Sequence, residues 1–344
     1  MKKINFKLLK KIFETKAISG DEQSLVSLLK EYYLKYSDEI IYDNQGSFVA
    51  HKKSKIDGAK KVLVLAHADE IGFMVSNIEK DGIIRVNSIG GINPNTLISN
   101  RVVLKNSSGK LFKGVIGNAF SETIGKLDFD FGFDSKEEAL NSNICIGNSV
   151  YFDEETVQIN DKRIVSKAID NRYGCLLGVE LLESLKNVDL DIDLYVGVSV
   201  QEEVGCRGAQ TIANKIHPDF AIVLDCSPSD SKNDNGILGK GVLLRVKDAN
   251  MLAFKSLINY QKKICQKANV PYQYFISMGG TDAGVIHKSF DGILTLTHCI
   301  CAKNLHTQST MMDIDDYYSA KKSLIYMIKD LNGDLIEQLK KGNR

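Results

Sequence analysis

The chain has 344 residues, 43% of them hydrophobic and 25% charged, with 44 basic against 43 acidic side chains. That length exceeds what a single core usually fills, so two domains are expected. The near-zero net charge argues against nucleic acid or an anionic membrane as a partner.

No stretch approaches the roughly 18 apolar residues of a membrane span. The amino terminus, Met1 to Lys16, alternates lysines with isolated apolar residues and lacks the apolar core of a signal peptide. The seven cysteines are scattered, with no C-x-x-C pair, and read as small buried residues in a reducing compartment. A cytoplasmic location is the expectation.

Residues 5 to 35 carry apolar side chains at helical spacing, interrupted by Ser19-Gly20-Asp21-Glu22, a stretch suited to capping a second helix. Lys61 to Ala66 is a short continuous apolar run that ends at His67, as in a strand buried on both faces. From Gly72 to Asp161 the texture changes. Short β-rich pieces (Ile83 to Val86, Arg101 to Leu104, Lys113 to Ile116, Ser149 to Phe152) alternate with turn signals such as Asp81-Gly82 and Ser108-Gly109.

Beyond Val165 the longer alternation returns. The pattern predicts a helix over Arg172 to Leu185, a strand over Leu194 to Val200, a helix near Ala209 to Lys215 and a strand over Phe220 to Leu224. A helix over Met251 to Ala268, a strand over Gly292 to Leu296 and a final helix over Tyr317 to Leu331 complete the chain. The fold class is therefore α/β, a mixed sheet flanked by helices with an inserted, small, β-barrel-like domain. The division is 1–71 with 162–344, interrupted by 72–161.

Five segments carry metal-competent groups: His67 with Asp69, Asp170, Glu202-Glu203, Asp225 and His306. Three of them follow predicted strands, and in open α/β sheets ligands gather outside the carboxyl ends of strands. Imidazoles and carboxylates from five separate stretches can hold two divalent ions that share a bridging carboxylate and leave a position for water. A structural zinc site would be closed and rich in cysteine. Zinc or cobalt suits this mixed donor set, with manganese as a further candidate.

Each group alone has a plainer reading. His67 serves equally as a structural histidine, Asp170 as a helix N-cap and Glu202-Glu203 as a solvated acidic pair. Asp69 shifts the reading of His67, because metal-bound imidazoles usually donate their second nitrogen to a carboxylate or carbonyl. Adjacent side chains on a strand point to opposite faces, so Glu202 and Glu203 could not flank one glycosidic bond from within a strand. At a strand end the alternation is released. One carboxylate can then bind metal while the other takes a proton from the activated water. His51, His217 and His287 read as ordinary surface or core histidines, and His298 as buried and hydrogen-bonded. Gly279-Gly280-Thr281-Asp282-Ala283 lacks the Lys and the spacing of a phosphate loop and reads as a tight turn near the site.

Taken together, Ala66-His67-Ala68-Asp69-Glu70-Ile71-Gly72-Phe73, Asp170-Asn171-Arg172-Tyr173-Gly174-Cys175, Glu202-Glu203-Val204-Gly205-Cys206-Arg207-Gly208-Ala209 and Gly279-Gly280-Thr281-Asp282-Ala283 form a specific combination. With Ile89-Gly90-Gly91 and the stretch from Phe131-Gly132 to Glu138, the chain resembles the tetrahedral aminopeptidases over essentially its whole length. These are the glutamyl- and deblocking-aminopeptidase group of dinuclear metallopeptidases.

The resemblance implies His67 and Asp225 as ligands of one metal, Glu203 and His306 as ligands of the other, and Asp170 as the bridge. It implies Glu202 as the catalytic general base and Asp69 as the carboxylate that orients His67. It further implies that 72–161 is a dimerisation domain, that dimers assemble into a tetrahedral dodecamer, and that short peptides are the substrate. A related metal-dependent deacylase acting on N-acylated amino acids or sugars is the alternative. One departure stands out. The family commonly has Arg-Tyr-x-His-Ser around the last histidine, where this chain has Lys303-Asn304-Leu305-His306-Thr307. Lys303 keeps the charge but loses the planar fork of arginine, so no substrate preference is carried over.

Overall fold

The structure is a computed structural model that describes residues 4–117 and 121–342. Its centre is an eleven-stranded mixed sheet. The strand Lys60–His67 runs parallel to Ile192–Ser199 on one side and to Phe220–Pro228 on the other. Phe220–Pro228 in turn runs parallel to Leu294–Lys303. The remaining strands complete the sheet on either side of this parallel centre.

Helices cover both faces, which explains the continuous apolar run at Val62 to Ala66: these residues are all buried. Side chains alternate between two cores. Val62, Val64 and Ala66 enter the larger one, with the helices Phe6–Glu14, Gln23–Tyr33, Ile169–Leu185 and Ile314–Asp330. Leu63 and Leu65 enter a smaller one with Ala209, Ile212 and Ile286. The helix Ile169–Leu185 is buried nearly all round. It can approach the sheet because Gly174 has no side chain: a Cβ there would lie 2.8 Å from Ala66 Cβ and 2.5 Å from Asn171 Oδ1.

Six strands between Gly72 and Phe152 close into a barrel with its own apolar core, built on Phe73, Val86, Leu104, Phe129 and Phe152. The predicted fold class is what the chain adopts. The strand Val157–Asn160, grouped from sequence with the 72–161 insert, instead pairs with Arg163–Ser166 at the edge of the large sheet. Its four residues are all exposed, so burial left no periodic signal to place it.

Elsewhere the structure extends the predicted elements. The strand expected to stop at Leu224 continues to Pro228, and the one expected to stop at Leu296 continues to Lys303. The helix expected to run from Met251 begins at Lys255, and a short helix, Gly333–Lys341, follows the last predicted one. No described helix is long and apolar enough to cross a membrane. All seven cysteines are free, and only Cys145 is exposed.

Candidate metal centre

The register of the central strands brings the first groups level. His67 is the last residue of its strand and pairs with Ser199, while Leu65 pairs with Val223. Asp225, two residues beyond Val223, therefore lies beside His67. The two side chains share the sheet face that carries Leu65 and Val223, and His67 Nε2 is 3.8 Å from Asp225 Oδ1.

The acidic pair reaches the same place because the pleat breaks. The strand Ile192–Ser199 ends, and Gln201 takes a left-handed backbone (φ 57°). The amides of Glu202 and Glu203 then both donate to the buried Asp69 carboxylate, at 3.0 and 3.1 Å. Ser19 Oγ donates to the same carboxylate at 2.6 Å. Ser19 is thus engaged by Asp69 rather than capping the second helix, where no side-chain cap bond forms. His67 Nδ1 lies 3.1 Å from the Asp69 main-chain carbonyl and 3.7 Å from its carboxylate. The carbonyl makes the closer contact, and the carboxylate shapes the Glu202-Glu203 turn.

Asp170 sits at the start of the helix Ile169–Leu185 with non-helical backbone angles, in a cis peptide with Asn171, and makes no cap bond. Its carboxylate lies between two imidazoles, with Oδ1 3.0 Å from His67 Nε2 and Oδ2 3.5 Å from His306 Nε2. His306 lies in the loop after the strand Leu294–Lys303, with Asn304 and His306 both left-handed (φ 54° and 58°). Its Nε2 is 3.4 Å from Glu203 Oε2, and its Nδ1 is 2.8 Å from the carbonyl of Gly91. Among the described residues, left-handed non-glycine backbone thus recurs around the site, as at other functional sites where packing holds strain in place.

Both imidazoles meet main-chain carbonyls at Nδ1. A carbonyl only accepts, so Nδ1 carries a proton, and Nε2 is the nitrogen turned to the carboxylates. Three overlapping clusters result, His67 with Asp170 and Asp225, Asp170 with Glu203 and His306, and His67 with Glu202 and Glu203, each with its ligand atoms within 4.8 Å of one another. The first two share Asp170.

With protein groups alone around them, three of these acids resist ionisation, while at Asp170 burial is outweighed by hydrogen bonds from His306 and His67, which hold it below the usual carboxylate range. Burial pushes Glu203 up to about 8, and burial with neighbouring anions pushes Glu202 and Asp225 well above the carboxylate range. So many buried acceptors of one sign need cations among them, and the residues fit a pair of divalent ions.

The site opens into a cleft of about 470 Å³, bordered also by Arg245, Asn250, Ser277, Gly279, Gly280 and Leu305. The Gly279 amide donates to Ser277 Oγ, and the Gly279 carbonyl accepts from Arg245 Nη2. A second cleft of about 460 Å³, lined by His217, Met251, Phe254 and Phe290, touches none of the candidate ligands. His298, as expected, is fully buried between Gln261 and the carbonyl of Ala320.

Residues 46–322 match the M42 glutamyl aminopeptidase family. The chain belongs to that family. It is 35% identical over 350 residues to the glutamyl aminopeptidase of Lactococcus lactis, covering 97% of this chain and 99% of the relative. Among solved structures, an aminopeptidase from the archaeon Desulfurococcus kamchatkensis superposes with a TM-score of 0.92 at 32% identity, covering 97% of each chain. The TET1 peptidase of Pyrococcus horikoshii, which can assemble into a tetrahedron or a large octahedral shell, superposes at 0.87 with 26% identity over 95% of this chain and 99% of that one.

Several residues of this M42 chain contribute to the site without having been given a role there from its sequence. Ser19 holds Asp69, Gly91 holds His306, and Tyr173 donates to the carbonyls of Asp225 and His298. Glu70, buried beside Asp69, bonds Lys167 and Arg172 at 2.7 and 3.0 Å. Arg172 also donates to the carbonyls of Ile12, Thr15 and Ala17, tying the first helix to the His67 and Asp170 segments. These are long-range contacts, and the motifs that contain Glu70, Gly91, Arg172 and Tyr173 do not say what each one touches.

Proposed function

We propose that this M42 chain is a dinuclear metal-dependent aminopeptidase that removes the amino-terminal residue of short peptides, with Glu202 as general base. The observation that carries this reading is Asp170, whose two oxygens each lie toward the Nε2 of a different imidazole. His67 and Asp225 would hold one ion, Glu203 and His306 the other, and Asp170 both. Zinc or cobalt fits two imidazoles and three carboxylates best, with manganese as a further candidate. When bound, such ions polarise a carbonyl and lower the pKa of water from 15.7 toward about 7.

The remaining work belongs to the chain. Glu202, whose Oε2 lies 4.0 Å from His67 Nε2, accepts the proton of the attacking water and delivers it to the leaving amine. Asp69 fixes the Glu202-Glu203 turn, so that base and ligand are held together by one carboxylate. The cleft binds the peptide, and Arg245, tied to Ser227 and Gly279, stiffens its wall.

The segment 72–161 would serve as a dimerisation domain of a discontinuous catalytic unit, 1–71 and 162–344. The dimers would build a tetrahedral dodecamer, as the shell-forming relative suggests. Seven free thiols fit a cytoplasmic enzyme.

Glu202→Gln tests the base directly. It removes a proton acceptor but not a ligand, so both metals should remain while kcat falls by roughly 10²–10⁴-fold. Near-normal turnover on free-amine dipeptides would refute the role of Glu202.

A further inference from the structure

Beside the dinuclear site lies a further group of donors that the mechanism above does not use. Cys206 Sγ, Asp282 and Glu202 offer ligand atoms within 4.8 Å of one another. Cys206 is 8% exposed and Asp282 1%. The thiol donates to Glu202 Oε1 at 3.4 Å. Ser199 Oγ donates to Asp282 Oδ2, yet Asp282 Oδ1 is buried without a hydrogen-bond partner. An acceptor left bare in this way destabilises the fold, and a cation would relieve it.

The backbone adds a second mark. Cys206 occupies the left-handed region (φ 54°) at the start of the helix Arg207–Ile216, held by its amide bond to the Glu202 carbonyl at 2.9 Å. Glycine would adopt that conformation without the strain a side chain brings. The strained turn points sulfur at two carboxylates.

We propose that Cys206, Asp282 and Glu202 form a separate, thiophilic metal site that inhibits the enzyme when zinc is in excess. One thiolate and two carboxylates suit zinc or cadmium over magnesium or calcium. In a tetrahedral shell, bonds of about 2.0–2.3 Å set ligand atoms roughly 3.3–3.7 Å apart, so the three side chains draw together when they take the ion. Binding exchanges the Sγ–H bond for an Sγ–metal bond and releases one proton to solvent. The ion then holds the carboxylate that would accept a proton from water. This regulatory consequence rests on Glu202 being the base proposed above.

The experiment titrates metal-depleted full-length protein with zinc, and separately with cadmium. It reads bound ion per chain by equilibrium dialysis and thiolate-to-cadmium charge transfer by ultraviolet absorption. Wild type should bind three ions, the last and weakest raising the charge-transfer band, and turnover should fall as the third site fills. Cys206→Ser should bind two, show no band and need at least tenfold more zinc for the same inhibition. Asp282→Asn should weaken the third ion at least tenfold, which covers the case in which the cysteine variant misfolds. Wild type without a thiolate band, or Cys206→Ser with the third ion and band intact, would overturn the proposal. Binding of fewer than two ions ahead of the band would instead count against the dinuclear reading, with the band still deciding this one.

Discussion

Asp170 illustrates how a residue acquires a role only from its surroundings. Just before a helix it reads as a cap, but it makes no cap bond, and its carboxylate lies between His67 and His306. Asp170→Ala should therefore strip metal from both positions, with occupancy by elemental analysis falling below half of wild type. Full occupancy would exclude it as the bridge. His67, Glu202, Glu203 and Asp225 were legible in the sequence because each follows an apolar run; His67 closes its strand and Glu202-Glu203 follow theirs, whereas Asp225 stands inside one. The contacts of Ser19, Gly91 and Asp282 were not legible. A serine read as a cap, a glycine within a motif and an aspartate in a turn do not show that the fold brings them to Asp69, His306 and Cys206.

At the scale of elements, hydrophobic periodicity located the strands and helices of the parallel sheet but misjudged several of their ends. Asp225 lies within a strand that runs on to Pro228, since Cys226 continues the alternation into the core. The exposed strand Val157–Asn160 had no buried face to betray it.

One element carries a pH dependence away from the metal centre. His298, on the strand Leu294–Lys303, accepts at Nδ1 from Gln261 and donates from Nε2 to the Ala320 carbonyl. Burial lowers its pKa from 6.5 to about 4. The unfolded chain then binds more protons than the folded one below 6.5, so stability present above that pH is lost as pH falls toward 4. Between pH 7.5 and 5 the loss from this one group is about 2 kcal/mol. Urea unfolding should show that His298→Gln, whatever its constant cost, lacks this part of the acid sensitivity. An unchanged difference between the two pH values would contradict it.

At the scale of the molecule, two cores meet at the site. The large sheet supplies the ligand strands, and the barrel segment sends Gly91 back across to His306. That contact explains how an inserted domain can matter to chemistry carried by the sheet. The barrel segment also exposes Leu111, Leu140 and Ile146, apolar surface available for association. Light scattering should return twelve times the chain mass, and a monomer at micromolar concentration would refute the assembly.

The dinuclear aminopeptidase reading itself is tested most directly by stripping the protein of metal and restoring zinc, cobalt or manganese in measured equivalents against free-amine and acyl-blocked peptides. Turnover should be absent without metal, rise to a maximum at two equivalents per chain and be confined to peptides with a free amino terminus. Full activity in the stripped protein, or saturation at one equivalent, would contradict it, as would a preference for acyl-blocked substrates.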